Sequence, residues 1–350
     1  MVRRLAFAVP GDLATPTGGY AYDRRMIAEL EQLGWHIDLV DLGDGFPWPS
    51  SETRMAALAR LTAVPAGCTI VIDGLAFGVL PDAASQLCSR HSLIALVHHP
   101  LALESGLSAQ QADILRASER AALATASRVV VTSAATARHL TADYAVPATR
   151  ILIARPGSDP APVASGSHDG IVRLLSIGAV MPRKGFDVLI TALATLTALP
   201  WQLTIAGDRS RDPTAAAQLD GDIARFKLGS RVAVLGAVPS ERLAELYASA
   251  DLFALASRFE GYGMAYAEAI AHGLPVVGTT AGAIPDTVPS GAGVLVAPDD
   301  TDAFALALRR LIENRDERRR LATFARAAAG QLPTWQDSAK IFSRALEAVA

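Results

Sequence analysis

Short runs of consecutive apolar residues alternate along the chain with longer, Ala-rich stretches of helical periodicity. Within each run the apolar residues follow one another without alternating polar positions, which indicates strands covered on both faces, as in a parallel sheet. The runs that predict strands are residues 5–9, 36–40, 69–72, 93–97, 129–132, 151–154, 172–177, 202–206, 232–235, 252–255, 275–278 and 293–297.

The order of these elements predicts an α/β protein with two domains of similar size. Each half of the chain repeats strand, loop and helix, the pattern of a parallel, doubly wound sheet. A stretch rich in Pro, Ser and Gly between residues 155 and 170 indicates a linker. We therefore expect Rossmann-like domains over residues 1–160 and 161–330, with the ligand in the cleft between them, outside the carboxyl ends of the strands. Residues 331–350 predict a helix that packs back toward the first domain.

Composition and charge exclude several classes of protein. Hydrophobic residues make up 51% of the 350 residues, enough to fill two cores, and no run of about 18 apolar residues predicts a membrane span. The formal net charge of −3 lacks the basic surplus of a domain that binds nucleic acid. The arginine-rich run 315–320 predicts a solvated helix face, with peripheral membrane contact as the alternative.

Two features of the sequence indicate the cellular compartment. The apolar run at residues 5–9 is shorter than the apolar region of a signal peptide, so it predicts a buried first strand. Cys68 and Cys88 are the only cysteines and have no metal-ligand spacing, which fits a reducing compartment. We therefore expect a cytoplasmic protein.

Two features of the first half are candidates for ligand binding. The loop 10–19 follows the first predicted strand and leads into a helix expected to begin near Tyr20, where backbone N–H groups can bind phosphate. It has neither the G-x-G-x-x-G nor the G-x-x-x-x-G-K-[ST] pattern, so a dinucleotide oxidoreductase and a P-loop enzyme are poorly supported. His98 and His99 end a predicted strand, where a buried structural histidine and an active-site histidine fit equally well.

A basic pair follows the first predicted strand of the second half. Arg183 and Lys184 precede Gly185 in a strand-to-helix loop, and only three of the 32 basic residues in the chain are lysines. Cations are disfavoured at a helix N-terminus, so a solvated helix end explains this pair poorly. Anion binding explains it better, because a lysine ammonium is a point charge suited to a diphosphate.

The segment 258–269 brings two carboxylates close to a Gly-rich turn. Glu260 lies in the turn, and Glu268 lies on the helix that follows, where five residues from its start span about 7–8 Å of axis. This spacing allows one carboxylate to hold a sugar ring and the other a ribose, with a diphosphate between them. An acidic residue at a helix N-terminus together with a surface glutamate fits the spacing equally well.

A metal site is poorly supported by the sequence. Asp220 and Asp222 form a D-x-D pair, but they fall in a polar helical stretch and not at a strand end. No cluster of His and Cys with zinc-ligand spacing occurs. We therefore expect no bound metal.

Taken together, these segments resemble a family 4 glycosyltransferase of the GT-B fold over essentially the whole chain. Glu260 and Glu268 match the E-x7-E signature of that family, and the segment 182–185 matches its Lys-Gly element. Segment 281–286 resembles a later Gly-x-x-(Pro)-acid motif, and Trp335 lies in a helix like those that cross back to the first domain. The resemblance implies two Rossmann-like domains facing across a cleft.

The resemblance also implies an activity. A sugar would pass from a nucleoside-diphosphate sugar, bound mainly by the second domain, to a glycan, lipid or small-molecule acceptor bound by the first. Transfer would retain the anomeric configuration, without a metal and without a cofactor. Two alternatives stay open: an epimerase or phosphorylase of the same fold, and a glycosyltransferase-like protein with little turnover.

Residue roles follow from the same resemblance. Glu268 would hold the ribose, Glu260 the sugar hydroxyls, and Lys184 the leaving diphosphate. His98 would contact the donor sugar near the reacting centre, with His99 as the alternative assignment; His98, Lys184 and Glu260 are the catalytic candidates. The donor-binding candidates are Gly18, Gly19, Arg183, Lys184, Glu260, Gly261, Tyr262, Gly263, Met264 and Glu268.

One position departs from the family pattern. The family usually has arginine directly after the glycine that is Gly178 here, as a second cation on the diphosphate, whereas this chain has Ala179. Losing one cation from a departing anion would cost about 2–4 kcal/mol in the transition state. Arg183 is the candidate to replace it.

Overall fold

The computed structural model describes residues 3–349, which form two compact units. Unit 1 comprises the described residues up to Gly157 together with those from Pro333 onward. Unit 2 is the continuous segment Ser158–Leu332. The α/β class and the doubly wound architecture expected from the apolar runs are confirmed in both units.

Unit 1 is built on a six-stranded parallel sheet of order β2-β1-β3-β4-β5-β6. Its strands are β1 (Arg3–Val9), β2 (Trp35–Asp41), β3 (Thr69–Asp73), β4 (Leu93–Val97), β5 (Arg128–Val131) and β6 (Ile151–Ile153). Its helices are α1 (Gly18–Gln32), α2 (Ser51–Thr62), α3 (Gly74–Phe77), α4 (Pro81–Leu87), α5 (Ala109–Thr125), α6 (Ala134–Asp143) and α14 (Trp335–Glu347). Every residue of β3 and β4 is buried, as expected for strands with helices on both faces.

Unit 2 repeats the plan with a six-stranded parallel sheet of order β12-β11-β10-β7-β8-β9. Its strands are β7 (Val172–Ile177), β8 (Trp201–Ala206), β9 (Val232–Val234), β10 (Leu252–Ala254), β11 (Val276–Thr279) and β12 (Gly293–Val296). Its helices are α7 (Phe186–Ala194), α8 (Pro213–Arg225), α9 (Ser240–Ser249), α10 (Met264–Ala271), α11 (Ile284–Thr287), α12 (Thr301–Glu313) and α13 (Arg315–Ala329). All twelve strands in the two units lie where the apolar runs predict them.

The carboxyl-terminal helix α14 packs within unit 1 against α1. Thr334 caps its first turn by accepting a hydrogen bond from the Asp337 N–H at 3.1 Å. The Trp335 ring lies 5.8 Å from the ring of Tyr22 on α1, and the indole N–H of Trp35 donates to Ser343 at 2.9 Å. The helix therefore completes the core of the unit that the amino-terminal residues begin.

Two expectations about the surface are met. The run 315–320 forms the start of α13, where its side chains are exposed or partly exposed. Asp220 and Asp222 lie on α8 and pair with Arg209 at 2.5 Å and Arg225 at 2.8 Å. Among residues 3–349, no helix is long and apolar enough to cross a membrane.

Candidate active site

A tight turn after β7 carries the basic pair of unit 2. Pro182–Lys184 form a single 3-10 turn that ends at Gly185, whose φ of 64° is left-handed. A Cβ at Gly185 would lie 2.0 Å from the carbonyl oxygen of Ala256, so only glycine fits here. The turn therefore packs closely on the loop that follows β10, which holds the acidic partner of the pair.

Glycines also form the surface under the lysine side chain. A Cβ at Gly178 would lie 3.0 Å from Cε of Lys184, and a Cβ at Gly207 would lie 1.8 Å from the carbonyl oxygen of Gly178. Because these positions lack side chains, the aliphatic part of Lys184 rests directly on backbone. This packing limits the positions open to the ammonium group at its end.

Glu260 receives both cations. Nζ of Lys184 lies 2.6 Å from its Oε1, and Nη1 of Arg183 lies 3.2 Å from its Oε2. The hydroxyl of Ser257 donates to Oε1 at 2.7 Å. The side chains of Arg183, Lys184 and Glu260 are only 15, 14 and 7% exposed, so this is a largely desolvated ion cluster.

The two cations keep Glu260 ionised. Burial would raise the pKa of the Glu260 carboxyl, but the Lys184 ammonium and the Arg183 guanidinium outweigh burial and lower that pKa to about 2. Glu260 is therefore ionised at neutral pH and holds both cations in place. Such a site suits an anionic ligand that can share the cations with Glu260.

Arg258 fixes the geometry of the turn. Its guanidinium binds the carboxylate of Asp187 through two hydrogen bonds, of 2.7 and 3.0 Å, and its Nε donates to Asp299 at 2.6 Å. Its backbone N–H donates to the carbonyl of Arg183 at 2.8 Å. Sequence reasoning did not select Arg258 or Asp187. The available signal was that Arg258 lies in the same loop as Glu260, and that Asp187 follows Lys184 closely, in the first turn of α7.

The Gly-rich turn leads into the N-terminus of α10. Gly263 has φ 91°, and no side chain caps the helix, so its first backbone N–H groups lack that usual partner. Thr287 donates to the carbonyl of Tyr262 at 2.5 Å, and the Ala283 N–H donates to the carbonyl of Glu260 at 2.9 Å. These bonds hold the turn so that its amides and the helix dipole favour an anion near the basic pair.

Glu268 lies further along α10. The hydroxyl of Tyr247 donates to its Oε2 at 2.8 Å, which leaves Oε1 without a hydrogen-bond partner among residues 3–349. Burial raises the pKa of this carboxyl to about 6, with the Tyr247 hydrogen bond acting in the opposite direction. Glu268 is thus an ionised acceptor above that pH. Tyr247, like Arg258 and Asp187, is a residue that sequence reasoning did not select.

In unit 1, α1 and β4 bring two other predicted site residues together. The helix begins at Gly18 and not near Tyr20, because Thr17 caps it by accepting from the Tyr20 N–H at 3.1 Å. A Cβ at Gly19 would lie 3.3 Å from Cδ2 of His98, which follows β4 directly. His99 differs, since its Nε2 lies 3.3 Å from a Glu104 oxygen.

His98 is surrounded by acidic residues that sequence reasoning did not select. Its Nε2 lies 3.1 Å from Oδ1 of Asp23 and 3.4 Å from Oδ2 of Asp73. The two carboxylates outweigh the effect of burial and raise the pKa of His98 to about 10. The structure therefore describes two clusters, one in each unit, that contain the catalytic candidates.

Comparison with known structures identifies the fold. Sucrose-phosphate synthase of Thermosynechococcus elongatus is similar in fold, with a TM-score of 0.82 and 22% sequence identity; the match covers 99% of this chain and 100% of that chain. HepE of Anabaena, in complex with UDP and glucose, is also similar, with a TM-score of 0.78 and 20% identity; the match covers 98% of this chain and 100% of that chain. The fold is that of the GT-B glycosyltransferases.

Sequence comparison identifies a family and relatives to which parts of the chain are similar. Residues 162–328, which are nearly all of unit 2, match the family described as glycosyl transferases group 1. A D-inositol 3-phosphate glycosyltransferase of Catenulispora acidiphila is 34% identical over 248 residues, which are 65% of this chain and 58% of the relative. The chain spans about half the length of the curated relatives it matches.

Proposed function

We propose that the protein is a retaining, metal-independent glycosyltransferase that moves a sugar from a nucleoside-diphosphate sugar to an acceptor hydroxyl. The observation that carries this proposal is the buried cluster of Arg183, Lys184 and Glu260 beside the uncapped N-terminus of α10. The match of residues 162–328 to the glycosyl transferases group 1 family supports it, as does the fold shared with HepE, whose structure is a complex with UDP and glucose.

The diphosphate, the sugar and the ribose of the donor each have a matching group in unit 2. The diphosphate binds Lys184, Arg183 and the amides of the turn 261–264, because these are the cations and the uncapped helix end. The sugar hydroxyls donate to Glu260, and the ribose hydroxyls donate to Oε1 of Glu268. The acceptor binds unit 1.

The chemistry asked of these residues is mainly electrostatic. As the bond between the anomeric carbon and the diphosphate breaks, negative charge grows on the departing oxygen. Lys184, Arg183 and the helix-end amides stabilise that charge, and their fixed positions mean that little reorganisation is needed at that moment. The acceptor oxygen bonds to the same face of the anomeric carbon, and its proton leaves with the diphosphate.

The experiment that tests the activity starts from binding. UDP, GDP, ADP and their glucose and mannose derivatives are screened by thermal shift, where a ligand at about 100 times its Kd adds about 2.7 kcal/mol of stability. The best sugar nucleotide is then incubated with candidate acceptors, and the products are identified by mass spectrometry. Transfer of the sugar to an acceptor supports the proposal. Conversion of the donor without an acceptor would contradict it.

Replacing Glu268 with alanine should weaken binding of the nucleoside diphosphate that gives the largest shift. The ribose would lose a charged hydrogen-bond acceptor, worth about 1.5–3 kcal/mol, or about 10- to 150-fold in Kd. Isothermal titration calorimetry at pH 7.5 measures this effect, and Glu268→Gln, which keeps an acceptor oxygen, should lose less. Unchanged affinity in Glu268→Ala would remove Glu268 from the donor site.

Chelation should leave the rate of transfer unchanged. Lys184, Arg183 and the amides at α10 supply the positive charge that a divalent ion supplies in other enzymes. Initial rates are compared in EDTA and after addition of Mg²⁺ or Mn²⁺. If EDTA abolishes transfer and a divalent ion restores it, the diphosphate binds through a metal, and Asp220 and Asp222 must be tested as its ligands.

A further inference from the structure

Three ionisable side chains meet inside unit 1. Asp23 comes from α1, Asp73 ends β3, and His98 follows β4. Asp23 and Asp73 are 0 and 2% exposed, whereas the His98 side chain keeps 20% exposure. The imidazole is thus the only one of the three groups with a substantial path to solvent.

Both carboxylates act on one nitrogen of the ring. Nε2 of His98 lies 3.1 Å from Asp23 and 3.4 Å from Asp73, so a proton on Nε2 has an acceptor on either side. In a neutral ring with an unprotonated Nε2, the lone pair of Nε2 would instead point at two carboxylates. The geometry therefore favours a protonated Nε2 whatever the state of the other nitrogen.

The other contacts of His98 among residues 3–349 come from uncharged side chains. Tyr22 packs its ring edge-on to the imidazole at 5.3 Å, and its hydroxyl donates to the carbonyl of Ala154 at 2.9 Å. Burial keeps the pKa of that phenol well above its usual value, so it carries no charge. Thr132 donates to the backbone carbonyl of His98, at 3.0 Å, and so fixes the main chain. Asp23 and Asp73 are then the charged groups that face the ring.

Protonation of the whole cluster follows from these contacts. The pKa of His98 is raised to about 10, so the ring is an imidazolium at neutral pH. Burial, with a contribution from Asp73, raises the pKa of Asp23 to about 7. Two carboxyl groups and one imidazolium give a cluster without net positive charge.

The second ring nitrogen faces outward. Nδ1 of His98 has no partner among the described residues and is not a buried atom. In an imidazolium this nitrogen carries a proton, so it is a donor and has no lone pair with which to accept one. A cluster without net positive charge attracts a neutral hydroxyl oxygen more readily than a phosphate.

We propose that Asp23 and Asp73 are positioning residues that hold His98 as an imidazolium, so that its Nδ1–H donates a hydrogen bond to a hydroxyl oxygen of the substrate. Where this touches catalysis it rests on the proposed glycosyltransferase function. His98 is then excluded as a general base, because the proton it would have to accept is already present.

The protonation state can be measured without any substrate. Ring carbon and nitrogen shifts of the histidines are followed by NMR from pH 5.5 to 9.5, and His98→Gln identifies the His98 signals. Wild-type His98 should stay protonated beyond pH 8.5. Its pKa should fall by more than one unit in Asp23→Asn and further in the double variant with Asp73→Asn, a loss of more than tenfold in proton affinity. Asp82→Asn, an exposed residue of α4, is the control and should change nothing.

A pH profile separates positioning from a merely structural role. Wild-type kcat should vary little between pH 6 and 8.5, because His98 stays protonated over that range. In Asp23→Asn, kcat should be near normal at low pH and fall as the pH rises through the new pKa of His98. A purely structural defect would lower kcat equally at every pH, and a wild-type kcat that rises as His98 loses its proton would show a general base. Either result overturns the proposal.

The two proposals fail in different ways. A wild-type His98 that titrates near pH 6.5 overturns the present inference even if sugar transfer is robust. Absence of transfer with every sugar nucleotide overturns the proposed function, and the NMR titration still decides the state of His98. If circular dichroism shows that Asp23→Asn does not fold, Asp73→Asn and the wild-type titration decide the result. Asp73→Asn should fold, because asparagine can still accept the hydrogen bond that the Leu75 N–H donates to Asp73 at 2.7 Å and so cap α3.

Discussion

Lys184→Ala is expected to lower kcat for sugar transfer by about 100- to 1000-fold, the usual cost of removing one preorganised donor from a developing oxyanion. The ammonium is 2.6 Å from Glu260 and 14% exposed, so water replaces it poorly. The effect should fall on kcat more than on KM, since the charge on the departing oxygen is greatest in the transition state. Steady-state rates of nucleoside diphosphate release measure it.

The chain offers a matched control for this change. Lys340 lies on α14 with its side chain 49% exposed, and Lys340→Ala should leave the rate unaltered. Thermal unfolding must accompany the kinetics, because Lys184→Ala also leaves Glu260 with one cation fewer. Lys184→Arg, which keeps the charge, should recover part of the lost rate. A normal kcat in a stably folded Lys184→Ala would show that the diphosphate binds elsewhere.

Arg183→Ala should have the second-largest effect, a fall in kcat/KM of about 30-fold or more, because this chain has Ala179 where the family usually supplies a second cation. In the structure Arg183 contacts Glu260 at 3.2 Å and donates to the carbonyl of Phe259 at 2.9 Å, so its guanidinium lies in the same cluster as Lys184. Adding Ala179→Arg to the Arg183→Ala variant should restore much of the loss, since a cation from either position would reach one diphosphate.

The rescue distinguishes two explanations of Arg183. If Arg183→Ala is silent while Lys184→Ala is severe, Arg183 only supports the loop after β10, and Lys184 acts with the backbone amides. If Arg183→Ala is severe and Ala179→Arg does not rescue it, the guanidinium is needed as a partner of Glu260 and Phe259 and not as a general source of charge. If both single changes are silent, the donor does not bind at this turn.

The strands could be predicted because continuous apolar runs have few alternative structures in a chain of this composition. The ends of the strands were predicted less accurately. β5 begins at Arg128, one residue before the predicted run 129–132 begins, and β10 ends at Ala254, one residue before the predicted run 252–255 ends. Such differences depend on the neighbouring strand, because a strand ends where its ladder of hydrogen bonds ends. A run of side-chain types contains no direct information about that point.

The candidate site was only partly accessible from the sequence. The spacing of Glu260 and Glu268 around a Gly-rich turn indicated those two residues. Lys184 was indicated because lysine is rare in this chain and this one lies in a strand-to-helix loop. Asp23 and Asp73 were missed, because each is an ordinary acidic residue in its own segment. The pairing of β3 with β4 brings Asp73 to His98, and the packing of α1 brings Asp23 there. Long-range contacts of this kind follow from topology and not from periodicity.

Unit 1 is interrupted in the chain by the whole of unit 2. Its α14 covers the face of α1 that includes Tyr22, but Ser158–Leu332 must be synthesised before α14 exists. Unit 2 is continuous and can bury its core as soon as it has left the ribosome, because domains generally fold as units during synthesis. Part of unit 1 therefore waits with apolar surface exposed while its neighbour folds. Unit 2 can therefore complete its core before unit 1 does, and the face of α1 that α14 covers is the part of unit 1 left exposed to aggregation during that interval.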